Sequence, residues 1–88
     1  MDKSEYISQL ANLLAGTKTS MNAQDLMNLL NWNMFPTDRG TRFGSVTSVY
    51  KLIQTTYDKL MKMNCLSDAH NLAISFRQPN GSIILMKK

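Results

Sequence analysis

Residues 21–64 read MNAQDLMNLLNWNMFPTDRGTRFGSVTSVYKLIQTTYDKLMKMN, and this stretch decides the fold. It holds a short capped helix, a connection containing Gly and Arg, and a long helix with a basic outer side. Asn22 is a good N-cap, and Asp25 lies three residues on, where its carboxylate can reach back in a variant of the capping box. Met21 before the cap and Leu26 after it fit a hydrophobic staple. Leu26, Leu29 and Leu30 supply the apolar stripe, with Met27 at its edge, and the pattern fades at 31–33. Trp32, Met34 and Phe35 then form an apolar cluster expected to seal the bottom of the core; a dimer contact is the other use of such a cluster.

The connection PTDRGTRFG, residues 36–44, leads into a third helix expected over about 45–63. Val46, Val49, Tyr50, Ile53, Tyr57, Leu60 and Met61 recur at three- and four-residue steps. Ser48, Lys51, Thr55, Asp58, Lys59 and Lys62 take the other side, with Asp58 and Lys62 spaced as an i,i+4 ion pair. Asn64 is a suitable C-terminal stop.

Outward from this stretch, a first helix is expected from Ser4 or Glu5 to Ala15, capped by Ser4 and ended by Gly16 in the left-handed conformation. Its apolar side is Tyr6, Ile7, Leu10, Leu13 and Leu14. Towards the C-terminus, residues 67–76 admit two readings. Ala69, Leu72, Ala73 and Phe76 follow a Ser67-Asp68 start at helical spacing, which favours a fourth helix. Ile74 and Phe76 also alternate with polar residues, and Asn80-Gly81 is a type I′ hairpin signal, which suits a strand and hairpin. With the helix preferred, residues 82–86 become a short strand whose partner could be residues 18–20. The expectation is one mainly α domain: a three- to four-helix bundle with a short C-terminal β-strand or hairpin.

Eighty-eight residues allow one domain, and a chain this short buries only about 60–65% of the surface its unfolded form exposes. A hydrophobic fraction of 43% suits a packed core rather than general disorder. No apolar run approaches the ~20 residues of a membrane span. The N-terminal MDKSEYISQL lacks the apolar core of a secretory signal, and the single Cys65 cannot close an internal disulfide. A cytoplasmic setting and no membrane partner are the expectations. Charge is uneven: residues 1–38 carry two lysines against four carboxylates, and residues 39–88 carry eight Lys or Arg against two. A basic half favours an anionic partner, either nucleic acid or an acidic protein surface.

Catalysis finds no support in the residue types. Cys65 and His70 are the only thiol and the only imidazole, and no third group is placed to orient a nucleophile–base pair. One Cys and one His do not make a zinc site, and no glycine loop is built for phosphate, so neither a metal nor a cofactor is expected. Cys65 reads as a small packed hydrophobe and His70 as a surface residue. The basic set invites two interpretations. In one, Arg39 and Arg42 meet phosphates while Ser45, Thr47, Ser48 and Lys51 enter the major groove of double-stranded DNA. In the other, the same residues are the solvated side of an amphipathic helix.

The order of helix, capped helix, long helix, PNG turn and apolar tail resembles the winged-helix class of helix-turn-helix DNA-binding domains. The residues that carry the resemblance are 22–30, 45–60 and 79–85. It implies a DNA-binding regulator that uses the start of the third helix. The connection of residues 36–44 is longer than a tight helix-turn-helix turn. Arg39-Gly40-Thr41, Leu52-Ile53, Tyr57-Asp58, Ala69, Leu72-Ala73, Phe76 and Asn80-Gly81 also resemble small uncharacterised proteins of bacteria and their phages. That likeness implies a bacterial or prophage origin and carries no activity. The alternatives are a protein-binding module acting on a host protein, or a homodimeric structural protein.

Overall fold

The computed structural model describes residues 2–37, 39–78, 80, 81 and 84. Its elements run α1 (Lys3–Gly16), β1 (Met21–Asn22), α2 (Ala23–Trp32), α3 (Val46–Lys62), α4 (Leu66–Ser75) and β2 (Phe76–Arg77). The mainly helical expectation holds, and the ambiguous stretch 67–76 resolves as a helix that passes directly into a strand. β1 and β2 pair in parallel, with Met21 opposite Phe76 and Asn22 opposite Arg77. The expected strand at 82–86 lies outside the described residues except for Ile84, which packs against the core. Residues 18–20 are not a strand, and the pairing that forms is a different one, between 21–22 and 76–77. In the tail the Gly81 amide donates to the Gln78 carbonyl at 2.8 Å, and the hairpin expected around Asn80-Gly81 needs residues that lie outside the described ones.

Helix starts follow from carboxamide and carboxylate caps. The Asn22 side chain accepts from the Asp25 amide at 2.9 Å, as its position predicts. The return bond from the Asp25 carboxylate does not form, so only half of the capping box is present. In α1 the cap is Asp2, which accepts from the Glu5 amide at 2.8 Å. Ser4 therefore sits inside the first turn, where its hydroxyl accepts a 3.2 Å bond from buried Thr56 of α3.

Three helices end in the same way. Beyond the C-caps of α1, α2 and α3, Lys18, Met34 and Asn64 take φ values of 56°, 61° and 62°. In each case the left-handed residue and its successor donate back to the last turn. For α1 these bonds are Lys18 to Ala15 (3.2 Å) and Thr19 to Leu14 (2.9 Å). For α2 they are Met34 to Asn31 (3.0 Å) and Phe35 to Leu30 (2.9 Å). For α3 they are Asn64 to Met61 (3.1 Å) and Cys65 to Leu60 (2.8 Å). This is the Schellman arrangement, which satisfies carbonyls that would otherwise be orphaned. Asn64 is the stop its sequence position suggests. Gly16 is not: it stays helical, and Lys18 carries the reversal two residues later.

The core gathers Ile7, Ala11, Ala23, Leu26, Leu30, Phe43, Val49, Leu52, Ile53, Leu60, Ala69, Leu72 and Phe76. The most extensive helix contact is α1 on α4. Ala11 is fully buried there, and the buried Ser75 hydroxyl donates to its carbonyl at 2.9 Å. Asn12 donates to Asp68 (3.2 Å) and accepts from Asn71 (2.9 Å) along the wet edge of the same seam. Leu13, expected on the apolar side of α1, is 66% exposed, because Ala11 occupies the line that faces α4. Met61 is likewise exposed, while Leu52 and Thr56 take buried places on α3. Leu29 is only half-buried, between the fully buried Leu26 and Leu30. Asp58 accepts from Gln54 at 3.0 Å rather than pairing with Lys62.

The expected seal of Trp32, Met34 and Phe35 is overturned for two of its three members. Trp32 and Met34 are 85% and 87% exposed. The left-handed turn at Met34 reverses the chain, and Phe35 alone folds inward, its ring 5.0 Å from that of Tyr6.

Two stability experiments follow. Truncation to Ala at Ile53 or Leu30 is expected to cost about 2–5 kcal/mol in urea melts, with Leu29→Ala clearly less damaging; equal losses at Leu29 and Leu30 would contradict the burial order. At the helix ends, Met34→Gly is expected to gain roughly 1 kcal/mol by relieving a left-handed side-chain clash, whereas Asn22→Ala loses about 1 kcal/mol with its cap. A Met34→Gly variant less stable than the parent would refute the assigned reversal.

Candidate nucleic-acid interface

The connection between α2 and α3 is a pinned loop rather than a slack one. Thr37 and Thr41 close it: the Thr37 amide donates to the Thr41 carbonyl at 2.7 Å, and their hydroxyls lie 2.9 Å apart. The Gly40 amide donates to the Thr37 carbonyl at 2.8 Å, and Gly40 supplies the positive φ of 81° that this turn requires. On the α1 side, Lys3 Nζ donates to the Pro36 carbonyl at 2.9 Å.

A clasp from α2 fixes the other end of the loop. Asn31 Nδ2 donates to the Phe43 carbonyl at 3.0 Å, and its Oδ1 accepts from the Phe43 amide at 2.9 Å. The carboxamide thus replaces a β-strand neighbour for one residue, and it anchors the Phe43 ring in the core at 4% exposure. Three residues later, at Val46, α3 begins.

The six residues singled out in the sequence lie on the loop before α3 and on its first turns. Arg39 sits on the closed loop and Arg42 follows it; both are exposed, and neither makes a hydrogen bond or ion pair among the described residues. Ser45, Thr47 and Lys51 are exposed, and Ser48 is half-buried. Residues 47, 48 and 51 share one side of α3 by their three- and four-residue spacing, opposite the buried Val49, Leu52, Ile53 and Thr56. Ser45 occupies the N-cap position without bonding its side chain to the helix, and the first turn holds no acidic residue. The free amides and the positive end of the helix dipole therefore face outward unopposed by a local carboxylate.

Beside this surface runs a groove of about 520 Å³ between the end of α2 and the loop. Trp32, Met34, Asn28, Asn31, Thr41 and Arg42 are among its lining residues. The sequence pattern gave no sign of it, because Trp32 and Met34 fit an apolar stripe and Asn31 looks like a fading helix end. A second depression, of about 590 Å³, lies at the end of the small sheet, where Asp25 and Arg77 place opposite charges. Cys65 is half-buried against the core, its thiol 3.8 Å from the Met63 carbonyl, and His70 is exposed on α4. Among the described residues no group of three His, Cys, Asp or Glu could hold a metal ion, and no helix is long and apolar enough to cross a membrane.

Asn31→Ala should remove both bonds to Phe43 and lower stability by roughly 1–3 kcal/mol. It should also speed hydrogen exchange at the Phe43 amide, while the Ile53 amide changes only by the overall loss. Unchanged protection at Phe43 would show that the clasp does not hold the loop.

No protein-family model, curated protein or solved structure matches this chain.

Proposed function

We propose that the chain binds double-stranded DNA through the start of α3 and the arginines before it, as a regulator of winged-helix-like type and of bacterial or phage origin. The observation that carries this is the uncapped N-terminus of α3, free of acidic residues in its first turn and flanked by two exposed, unpaired arginines. Phosphate oxygens are the ligands such a site accepts best, since helix amides and guanidinium groups both donate to them. With phosphates held there, Thr47, Ser48 and Lys51 are the side chains one turn into the helix that reach base edges. The clasp at Asn31 and the closed Thr37–Thr41 loop support the same reading, because they hold the arginines on a rigid frame. The order of α1, β1, α2 and α3 is what supports the winged-helix-like type; α4 stands where the first wing strand would be, and β2 pairs with β1 in parallel.

A protein partner is the second reading, either the acidic surface of a host protein or, in a homodimer, a second copy of the chain. It draws on the exposure of Trp32 and Met34, since large apolar side chains in water often mark a contact surface.

Titration of labelled duplex at several salt concentrations tests the first reading. Affinity should fall steeply with salt through counterion release. Replacing Arg39 and Arg42 together should flatten the log–log slope by about 2, at roughly 0.9 per phosphate contact. Lys51→Ala should also level the preference among sequences. A folded protein that fails to bind duplex at low salt would leave the protein partner as the better account.

A further inference from the structure

We propose that the groove between the end of α2 and the Thr37–Arg42 loop receives an unpaired nucleobase, stacked on Trp32, with Arg42 on the adjoining phosphate. This rests on the nucleic-acid reading above and extends it from regular duplex to single-stranded or opened DNA. Trp32 is the only tryptophan in the chain, and it stands 85% exposed at a helix end, with Met34 at 87% beside it in the same groove. An indole face is a stacking surface for any base, and it works without sequence preference because every base offers a π face.

The rest of the lining suits a base and its backbone. Arg42 is the one charged side chain among the described residues that line the groove, and it makes no ion pair with another described residue, so it is free to meet a phosphate. Asn28 uses only its carbonyl oxygen, in a 3.5 Å bond from Gln24, which leaves its amide hydrogens for the edge of a base. Thr41 adds a hydroxyl to the same lining. A groove for an amphipathic peptide helix would instead present a continuous apolar floor; here Asn28, Asn31 and Thr41 interrupt it. A regular duplex offers only base edges and keeps its base faces stacked inside, so it has no free face to lay on the exposed indole beside the groove.

The lone tryptophan makes the test local. Its emission is followed while the full chain is titrated at low salt with a single-stranded oligothymidylate, with a blunt duplex, and with an acidic peptide carrying leucines. The proposal expects quenching by the oligothymidylate. It also expects Trp32→Ala to weaken that binding about tenfold, the scale of one lost base stack, as read by anisotropy of the labelled strand. Trp32→Phe should restore most of the loss. Arg42→Ala should weaken single strand and duplex alike. Circular dichroism controls for folding, and an exposed position tolerates these changes. Oligothymidylate binding without quenching and indifferent to Trp32→Ala would overturn the groove assignment and leave the duplex reading intact. Quenching by the peptide alone would also overturn it, in favour of a protein occupant. Absence of binding to either nucleic acid would remove both proposals together.

Discussion

The paired bonds between the Asn31 carboxamide and the Phe43 backbone are the constraint on which the outer surface depends. The link from α2 to α3 crosses the protein surface, and a free segment of that length would cost conformational entropy to hold in one shape. Asn31 supplies both a donor and an acceptor at 3.0 and 2.9 Å, which satisfies the main-chain groups of a residue whose ring is buried. Each such bond contributes only about 0.5–1.5 kcal/mol net, but a buried amide left unpaired costs more than that. The clasp therefore acts chiefly by making alternative loop positions expensive. Where Phe43 goes, Gly44 and Ser45 follow, and with them the first turn of α3.

The interior is organised by a different contact, the close crossing of α1 and α4. Ala11 and Ala69 are fully buried, and Ser75 spends its hydroxyl on the Ala11 carbonyl. The bond ties the end of α4 to the middle of α1. α4 then ends where Phe76 enters the core and Arg77 pairs beside Asn22. A two-stranded sheet of two residues each has little stability of its own. It follows from the placement of α4, which delivers the chain to the start of α2.

The parts legible in the sequence were those governed by neighbours in the chain. The Asn22 cap, the Asn64 stop and the length of α3 rest on interactions within a few residues, and the structure contains all three. What escaped depends on partners far along the chain. Ser4 looks like a cap until Thr56 is known to lie 52 residues away against it. Leu13 looks like core until α4 is known to favour the line of Ala11. Lys18 and Met34 carry no signal for a left-handed turn, because Gly or Asn is the usual residue there and only the folded context imposes the strain. For the candidate site, the basic residues were visible as a cluster, whereas the Asn31 clasp and the groove needed α2 and the loop to be seen together.

The division of labour on α3 explains how one small domain holds both a core and a polar outer surface. Val49, Leu52, Ile53, Thr56 and Leu60 are buried, while Thr47 and Lys51 point away from them, so surface chemistry can vary without touching the packing. The end of α2 does not follow that economy. A chain of 88 residues has little apolar area to spare, yet it leaves Trp32 and Met34 in water, the latter in a backbone conformation that disfavours any side chain. Neither residue adds to the buried core, and a polar residue at 32 and a glycine at 34 would suit the fold at least as well. Under the stacking role proposed for the groove, the two side chains are accounted for by what they touch outside the molecule rather than by anything they hold together within it.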